Sequence, residues 1–213
     1  TNSVHIARML ADHGVDVYAK HSVGDNAGRL AAMLEDVLAR ADGAVCTGGL
    51  GPTVDDLTKD AVVQAVRKTL VLHEPSLRAI EERFRQFNRP MADNNRRQAY
   101  LPEGCVVFDN PHGTAPGFVA PRDDGKFVAC MPGVPREMKP MLSDQLVPWL
   151  VGRFGLNEAI CPRALHTVGI GESELDRRVE DLFRTLENPK IAMLAHGFAV
   201  DVKIMAKARS REQ

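Results

Sequence analysis

Apolar positions along this chain alternate between a helical and a strand-like period. Val4, Ile6, Ala7, Met9 and Leu10 share one helical face, which Gly14 ends. Leu30, Met33, Leu34, Val37 and Leu38 form a second helical face, in a helix predicted to run to about Arg40. Asp25 or Asn26, in the turn Gly24-Asp25-Asn26, is placed to cap that helix. Between the two, Val15 to Val23 alternates well enough for a strand. Gly43-Ala44-Val45-Cys46 then runs into Thr47 as a short buried strand, and a helical pattern follows from Leu57 to Leu70. Helix, strand, helix, strand, helix in that order predicts an α/β fold with a parallel sheet covered on both faces. A chain of this class that opens on a helix implies a first strand outside it.

Farther along, a helix is predicted from about Pro75 to Asn88, and the polar stretch Pro90 to Gln98 opens another short one. Cys105 to Phe108 reads as a strand. Gly117 to Ala120 and Lys126 to Met131 flank Asp123-Asp124-Gly125, a hairpin signal. A long helix follows from about Arg136 to Phe154, with Pro148 expected to kink it. Around Gly155-Leu156-Asn157 the pattern changes. Arg163 to Val168 reads as a strand and Ser173 to Thr185 as a helix with Leu175, Val179, Leu182 and Phe183 inward. Lys190 to His196 and Ala199 to Ala206 pair about Gly197. The expected division is a larger α/β domain over 1–157 and a small β-α-β-β domain over 158–213.

Composition narrows the function classes. The chain has 213 residues, 44% of them hydrophobic, and a formal net charge of −1, so nothing draws it as a whole to nucleic acid or anionic membrane. From Glu158 to Gln213 nine basic residues balance nine acidic ones, which disfavours nucleic acid as a partner of the tail. No apolar run is long enough to span a bilayer, and the first residues lack a signal-peptide pattern. Cys46, Cys105, Cys130 and Cys161 lack C-x-x-C spacing and read as reduced core thiols of a cytoplasmic protein. The seven histidines form no cluster of the kind that holds zinc.

The chemistry concentrates in Thr47-Gly48-Gly49-Leu50-Gly51-Pro52-Thr53-Val54-Asp55-Asp56-Leu57-Thr58, a glycine turn between a strand and a helix. Glycines let backbone N–H groups approach a ligand, and a helix start adds partial positive charge, so phosphate is the natural guest. Two adjacent carboxylates would repel bare phosphate, which implies a bridging divalent cation. No Lys follows the last glycine, and the spacing is not G-x-G-x-x-G, so nucleotide-triphosphatase and Rossmann readings are weak. Gly113-Thr114-Ala115-Pro116-Gly117-Phe118 and Pro132-Gly133-Val134-Pro135-Arg136-Glu137 are further turns after predicted strands. Asn94-Asn95-Arg96-Arg97-Gln98 offers arginines for phosphate pairing. Loops that follow strands of an open α/β sheet gather where such sheets bind ligands.

Taken together, Val23-Gly24-Asp25-Asn26, the glycine turn with Asp55-Asp56-Leu57-Thr58, Asn94-Asn95-Arg96 with Gln98-Ala99, the Gly113 motif, and Pro132-Gly133-Val134-Pro135 with Glu137 resemble the N-terminal domain of the CinA family of competence/damage-inducible proteins. The tail, with Gly169-Ile170-Gly171-Glu172-Ser173-Glu174-Leu175, is similar to the KH-like domain that follows in that family. The resemblance implies a three-layer, mostly parallel sheet of the molybdopterin-binding type. It also implies a divalent-metal-dependent ADP-ribose pyrophosphatase in the cytoplasm, acting on a small nucleotide, using Mg, Mn or Co with a monovalent cation as a further candidate, and forming a homodimer. A binding protein for molybdopterin or a nucleotide, without hydrolysis, is the alternative. Members of the family carry a first strand ahead of the residues matching Thr1-Asn2 and a C-terminal deamidase domain, neither of which is in this sequence. On this basis Gly48, Gly49, Gly51 and Thr53 would hold one phosphate. Asn95 and Arg96 would grip the ribose or the other phosphate. Gly113, Thr114 and Pro116 would wall the pocket, and Gly133 would also bind substrate or phosphate. Asp55, Asp56 and Glu137 would ligate the metal, with Asp56 or Asp55 as the catalytic base.

Overall fold

In the computed structural model, which describes residues 1–197 and 199–208, helices α1 (Asn2–Asp12) and α2 (Ala27–Arg40) precede the first strand, β1 (Gly43–Thr47). The side chain of Asn26 caps α2 by accepting from the Arg29 N–H at 2.9 Å. Ala31, Leu34 and Leu38, three and four residues apart, are the buried stripe that the period predicts. Val15 to Val23 forms no strand. Its side chains, including Tyr18, Lys20 and His21, face solvent, and alternation without a buried face or a pairing edge does not hold a strand.

Helix α3 (Thr58–Val66) stops short of the predicted Leu70. Arg67 adopts a left-handed conformation (φ 58°), and the Lys68 N–H closes back on the Val63 carbonyl at 3.0 Å. With Arg rather than Gly at the turning point, the sequence carries no stop signal. Leu70–Leu72 becomes β2 and pairs antiparallel with β3 (Tyr100–Pro102). Between them lie α4 (Glu74–Gln86) and a 3-10 helix, Asp93–Ala99.

Strands β4 (Val106–Phe108), β5 (Gly117–Pro121) and β6 (Phe127–Met131) complete a sheet in the order β1-β6-β5-β4. Its ladders are mixed. β1 and β6 are parallel, whereas β6–β5 and β5–β4 are antiparallel. One face packs Phe118, Ala120, Val128 and Cys130 against α2 and α3. On the other face Phe127 meets Trp149 edge-on at 5.1 Å, and Gly117 leaves room for Met141. The predicted long helix is three pieces: α5 (Pro135–Met141), a π turn over Leu142–Leu146, and α6 (Val147–Phe154). The Val147 N–H reaches the Leu142 carbonyl, five residues back. Pro148 has no N–H to offer, and the widened turn directly precedes it.

The chain divides into two compact units, Thr1–Ile6 with Ala19–Trp149, and Ala7–Tyr18 with Leu150–Gln213. The second unit thus takes in Ala7–Tyr18 as well as the expected tail. It carries β7 (Ala159–Val168), α7 (Glu172–Thr185), β8 (Lys190–His196) and β9 (Ala199–Ala208), in the antiparallel order β7-β9-β8. Leu175, Val200 and Val202 form its core. Leu182 and Phe183, expected inward, are exposed on α7.

Candidate functional site

Strand direction decides where the motifs meet. β6 runs parallel to β1, and β4, reached through two antiparallel pairings, runs the same way. Thr47, Phe108 and Met131 therefore end at one edge of the sheet, and Gly117 of β5 begins there. The three predicted glycine turns all lie along that carboxyl edge.

At the β1–β6 end the turns touch. The Gly48 N–H donates to the Met131 carbonyl at 2.9 Å, and the Thr47 hydroxyl donates to the Pro132 carbonyl at 3.0 Å. Asn2 ties both turns, its side-chain amide donating to the Gly133 carbonyl at 2.7 Å and to the Thr47 hydroxyl at 3.2 Å. Gly48 and Gly49 have φ of 97° and 68°, a region L-residues avoid. A Cβ on Gly48 would meet nothing within 4 Å, so the backbone is open on that side. One on Gly133 would come within 3.4 Å of the Gly48 Cα. Behind the turn, Thr58 at the head of α3 donates its hydroxyl to the Gly48 carbonyl at 2.9 Å.

The two aspartates differ. Asp56 Oδ2 accepts from both the N–H and the hydroxyl of Thr53, at 2.9 and 2.5 Å, so it holds the loop in shape. Gly51 has no side chain because Asp56 Oδ2 would lie 2.5 Å from its Cβ. Asp55 is exposed. Hydrogen bonding with Thr53, then with its own backbone N–H, holds its carboxyl below the ordinary value, and like any such aspartate it is ionised at neutral pH.

Glu137, in the first turn of α5, is turned elsewhere. Its Oε2 accepts from Asn110 Nδ2 at 2.8 Å and lies against Gly113, where a Cβ would sit 2.2 Å away. Among the described residues no three His, Cys, Asp or Glu side chains converge in a group that could hold a metal ion. Asp55, Asp56 and Glu137 do not form the expected three-ligand set. One or two carboxylates completed by phosphate oxygens are a donor set that suits Mg²⁺, and exposed, ionised Asp55 fits it.

Asn95 bonds within its own helix, to the Ala92 carbonyl and to Asn94, and Arg96 is exposed to solvent. The arginine that reaches the turn is Arg97, whose Nη1 lies 3.4 Å from the Thr53 carbonyl. Lys59 was not anticipated. It is 6% exposed, and its ammonium donates to the Arg97 carbonyl. Burial pushes it down to about 8, the Arg97 charge adds to this, and Asp60 and Asp56 oppose it. Its adjacency to Thr58 was the available signal, but a Lys in a first helical turn ordinarily reads as surface. Lys59, Arg97, Asp56 and Tyr100 line a small cavity of about 110 Å³. Buried Gln98 has no hydrogen-bond partner for its Oε1 among the described residues.

At the β4 end of the edge, Gly113, Thr114 and Pro116 do line a cleft, of about 360 Å³, whose other wall is α4.

Two family models match the chain. Residues 1–151 match the family model "Probable molybdopterin binding domain", and residues 162–213 match "Damage-inducible protein CinA KH domain". Proteins called putative competence-damage inducible protein from Acetivibrio thermocellus and Shouchella clausii are each 46% identical over all 213 residues. The chain spans 51% of the length of each, about half of these curated relatives. A crystal structure of the protein CinA, of unknown function, from Thermoplasma acidophilum superposes with a TM-score of 0.63 at 31% identity, over 68% of this chain and 85% of that one. No helix among the described residues is long and apolar enough to cross a membrane.

Proposed function

Since the chain belongs to the CinA family, a molybdopterin-binding-type domain followed by a KH domain, we propose that it hydrolyses the pyrophosphate bond of ADP-ribose or a related nucleotide, with a divalent cation. The observation that carries this is the positive-φ backbone of Gly48 and Gly49 at the carboxyl edge, open at Gly48, with ionised Asp55 in the same loop. The Gly48 N–H is already given to the Met131 carbonyl, so amides of Gly49 and Gly51, with the head of α3, are the donors left for phosphate oxygens, fixed so that they need not reorganise as charge develops. Asp55 would hold the cation together with phosphate oxygens, and the cation, when bound, supplies charge neutralisation and lowers the pKa of water. Water adds its oxygen to one phosphorus, the bridging oxygen leaves with the other, and the products are AMP and ribose 5-phosphate. Asp56 keeps the Gly51–Thr53 loop in register and Arg97 braces it from the side.

One observation favours the binding-only alternative. Asp56, the first candidate for catalytic base, has Oδ2 committed to the N–H and hydroxyl of Thr53. The discriminating assay follows ADP-ribose with Mg²⁺, Mn²⁺ or Co²⁺ for release of AMP and ribose 5-phosphate. Wild-type turnover that is lost in Asp55→Asn, with folding intact, supports hydrolysis. Tight binding of molybdopterin or nucleotide without turnover supports the alternative.

A further inference from the structure

We propose that Lys59 is a positioning residue of the hydrolytic site, a built-in cation beneath the glycine loop that acts through Arg97 and Asp56 to set the Gly51–Asp56 segment carrying Asp55. This rests on the hydrolysis assignment above and adds a residue that acts on the loop rather than on the substrate.

Two physical costs single Lys59 out. It is a buried residue, and an ammonium taken out of water is costly unless its neighbours compensate. It is also the second residue of α3, where the partial positive charge of a helix start disfavours a cation. Methionine would fill similar space without either cost. The charge of this side chain, rather than its bulk, is therefore what calls for a role.

Its surroundings supply that role. The ammonium donates to the Arg97 carbonyl, and Lys59 lines the small cavity at Gly51 together with Asp56, Asp60, Arg97 and Tyr100. Burial works against its charge and the Arg97 charge adds to this, whereas Asp60 and Asp56 favour it. Two lines of contact run from it to the loop. Through the 3-10 helix backbone it fixes Arg97, whose Nη1 lies 3.4 Å from the Thr53 carbonyl. Through charge it holds Asp56, whose Oδ2 accepts from the Thr53 N–H at 2.9 Å and from its hydroxyl at 2.5 Å. Both lines end on Thr53. The Asp56 N–H closes back on the Thr53 carbonyl at 3.2 Å, so a shift at Thr53 carries Asp55 with it. Groups displaced in this way lose transition-state stabilisation before they lose binding.

The test compares the full chain with Lys59→Met, Lys59→Ala and Arg97→Ala. Amide hydrogen exchange of the metal-free protein, read by mass spectrometry over Thr53–Asp56, reports the loop itself. Lys59→Met should speed it at least about tenfold. With ADP-ribose and Mg²⁺, Lys59→Met and Lys59→Ala should lower kcat at least about tenfold and leave KM within about threefold. Methylammonium, small enough for the space that Lys59→Ala empties, should raise kcat of that variant at least about threefold at an unchanged melting temperature. Sodium at equal ionic strength should not. Arg97→Ala, at an exposed position, should reproduce the faster exchange and the kcat loss, and it decides the matter should the Lys59 variants fail to fold. Exchange and kcat that stay at wild-type values in Lys59→Met or in Arg97→Ala overturn the proposal, as does a kcat loss that methylammonium leaves untouched. Wild-type turnover matched by Lys59→Met removes Lys59 and leaves hydrolysis standing. Faster exchange in Lys59→Met, with no turnover by wild type, does the reverse.

Discussion

Replacing Lys59 with Met should change how stability depends on pH. The Lys59 ammonium is nearly enclosed, and burial brings it from 10.5 to about 8 in the native state. Below pH 8 the lysine is protonated in both states. Between 8 and 10.5 the unfolded chain keeps a proton that the native chain has shed, so stability rises with pH, by about 1.4 kcal/mol per unit. The full span corresponds to about 3 kcal/mol. At neutral pH Lys59→Met removes the cost of a buried ammonium but leaves the Arg97 carbonyl without its donor, about 1–3 kcal/mol in the opposite sense. The slope is therefore more diagnostic than the offset. Cys105, which burial pushes up to about 11, lowers stability above pH 9, but it does so in both proteins and cancels in the difference. Urea unfolding of wild type and Lys59→Met at about pH 8 and about pH 9.5 should show wild type gaining about 2 kcal/mol on the variant. Parallel curves across that range would refute the placement of a charged lysine beneath the loop.

Two further perturbations probe the glycine turn and the core. Gly49→Ala puts a methyl 2.1 Å from the Thr58 hydroxyl at a φ of 68°, so left-handed strain and the lost bond to Gly48 should together cost about 2–3 kcal/mol in a thermal melt. Gly48→Ala carries similar strain but meets nothing, so it should destabilise less while projecting a methyl into the open side of the turn. With Cys130 at 0% exposure and the Cys105 thiol at about 11, both should resist iodoacetamide in the native protein at about pH 8 and react on unfolding, as read by mass spectrometry.

What the sequence made legible was local chemistry. Gly48-Gly49 and Gly113 stand out because no other residue serves at their positive φ or against the neighbouring carboxylate. Asn26 announced α2 by its own side chain. Sheet direction was only partly legible, because pairing is non-local. The antiparallel β6–β5 and β5–β4 ladders give a mixed sheet, yet they bring β4 round to end beside β1 and β6. The end of α3 was hidden by an arginine in a glycine's conformation. Lys59 was passed over because a charged residue on a short helix usually faces water, and only the structure brings its ammonium to the Arg97 carbonyl; Arg97 was read within its polar motif, but Arg96 was the one chosen for the site. Asp55 and Asp56, adjacent and alike in sequence, were separable only once Thr53 was placed.

A crystal structure with Mg²⁺ and an ADP-ribose analogue whose bridging oxygen is replaced by methylene tests the central claim most directly. The claim requires diphosphate oxygens within hydrogen-bonding reach of the Gly49 and Gly51 amides, with the cation between them and Asp55. A diphosphate seated away from that turn, or a cation held without Asp55, would contradict it.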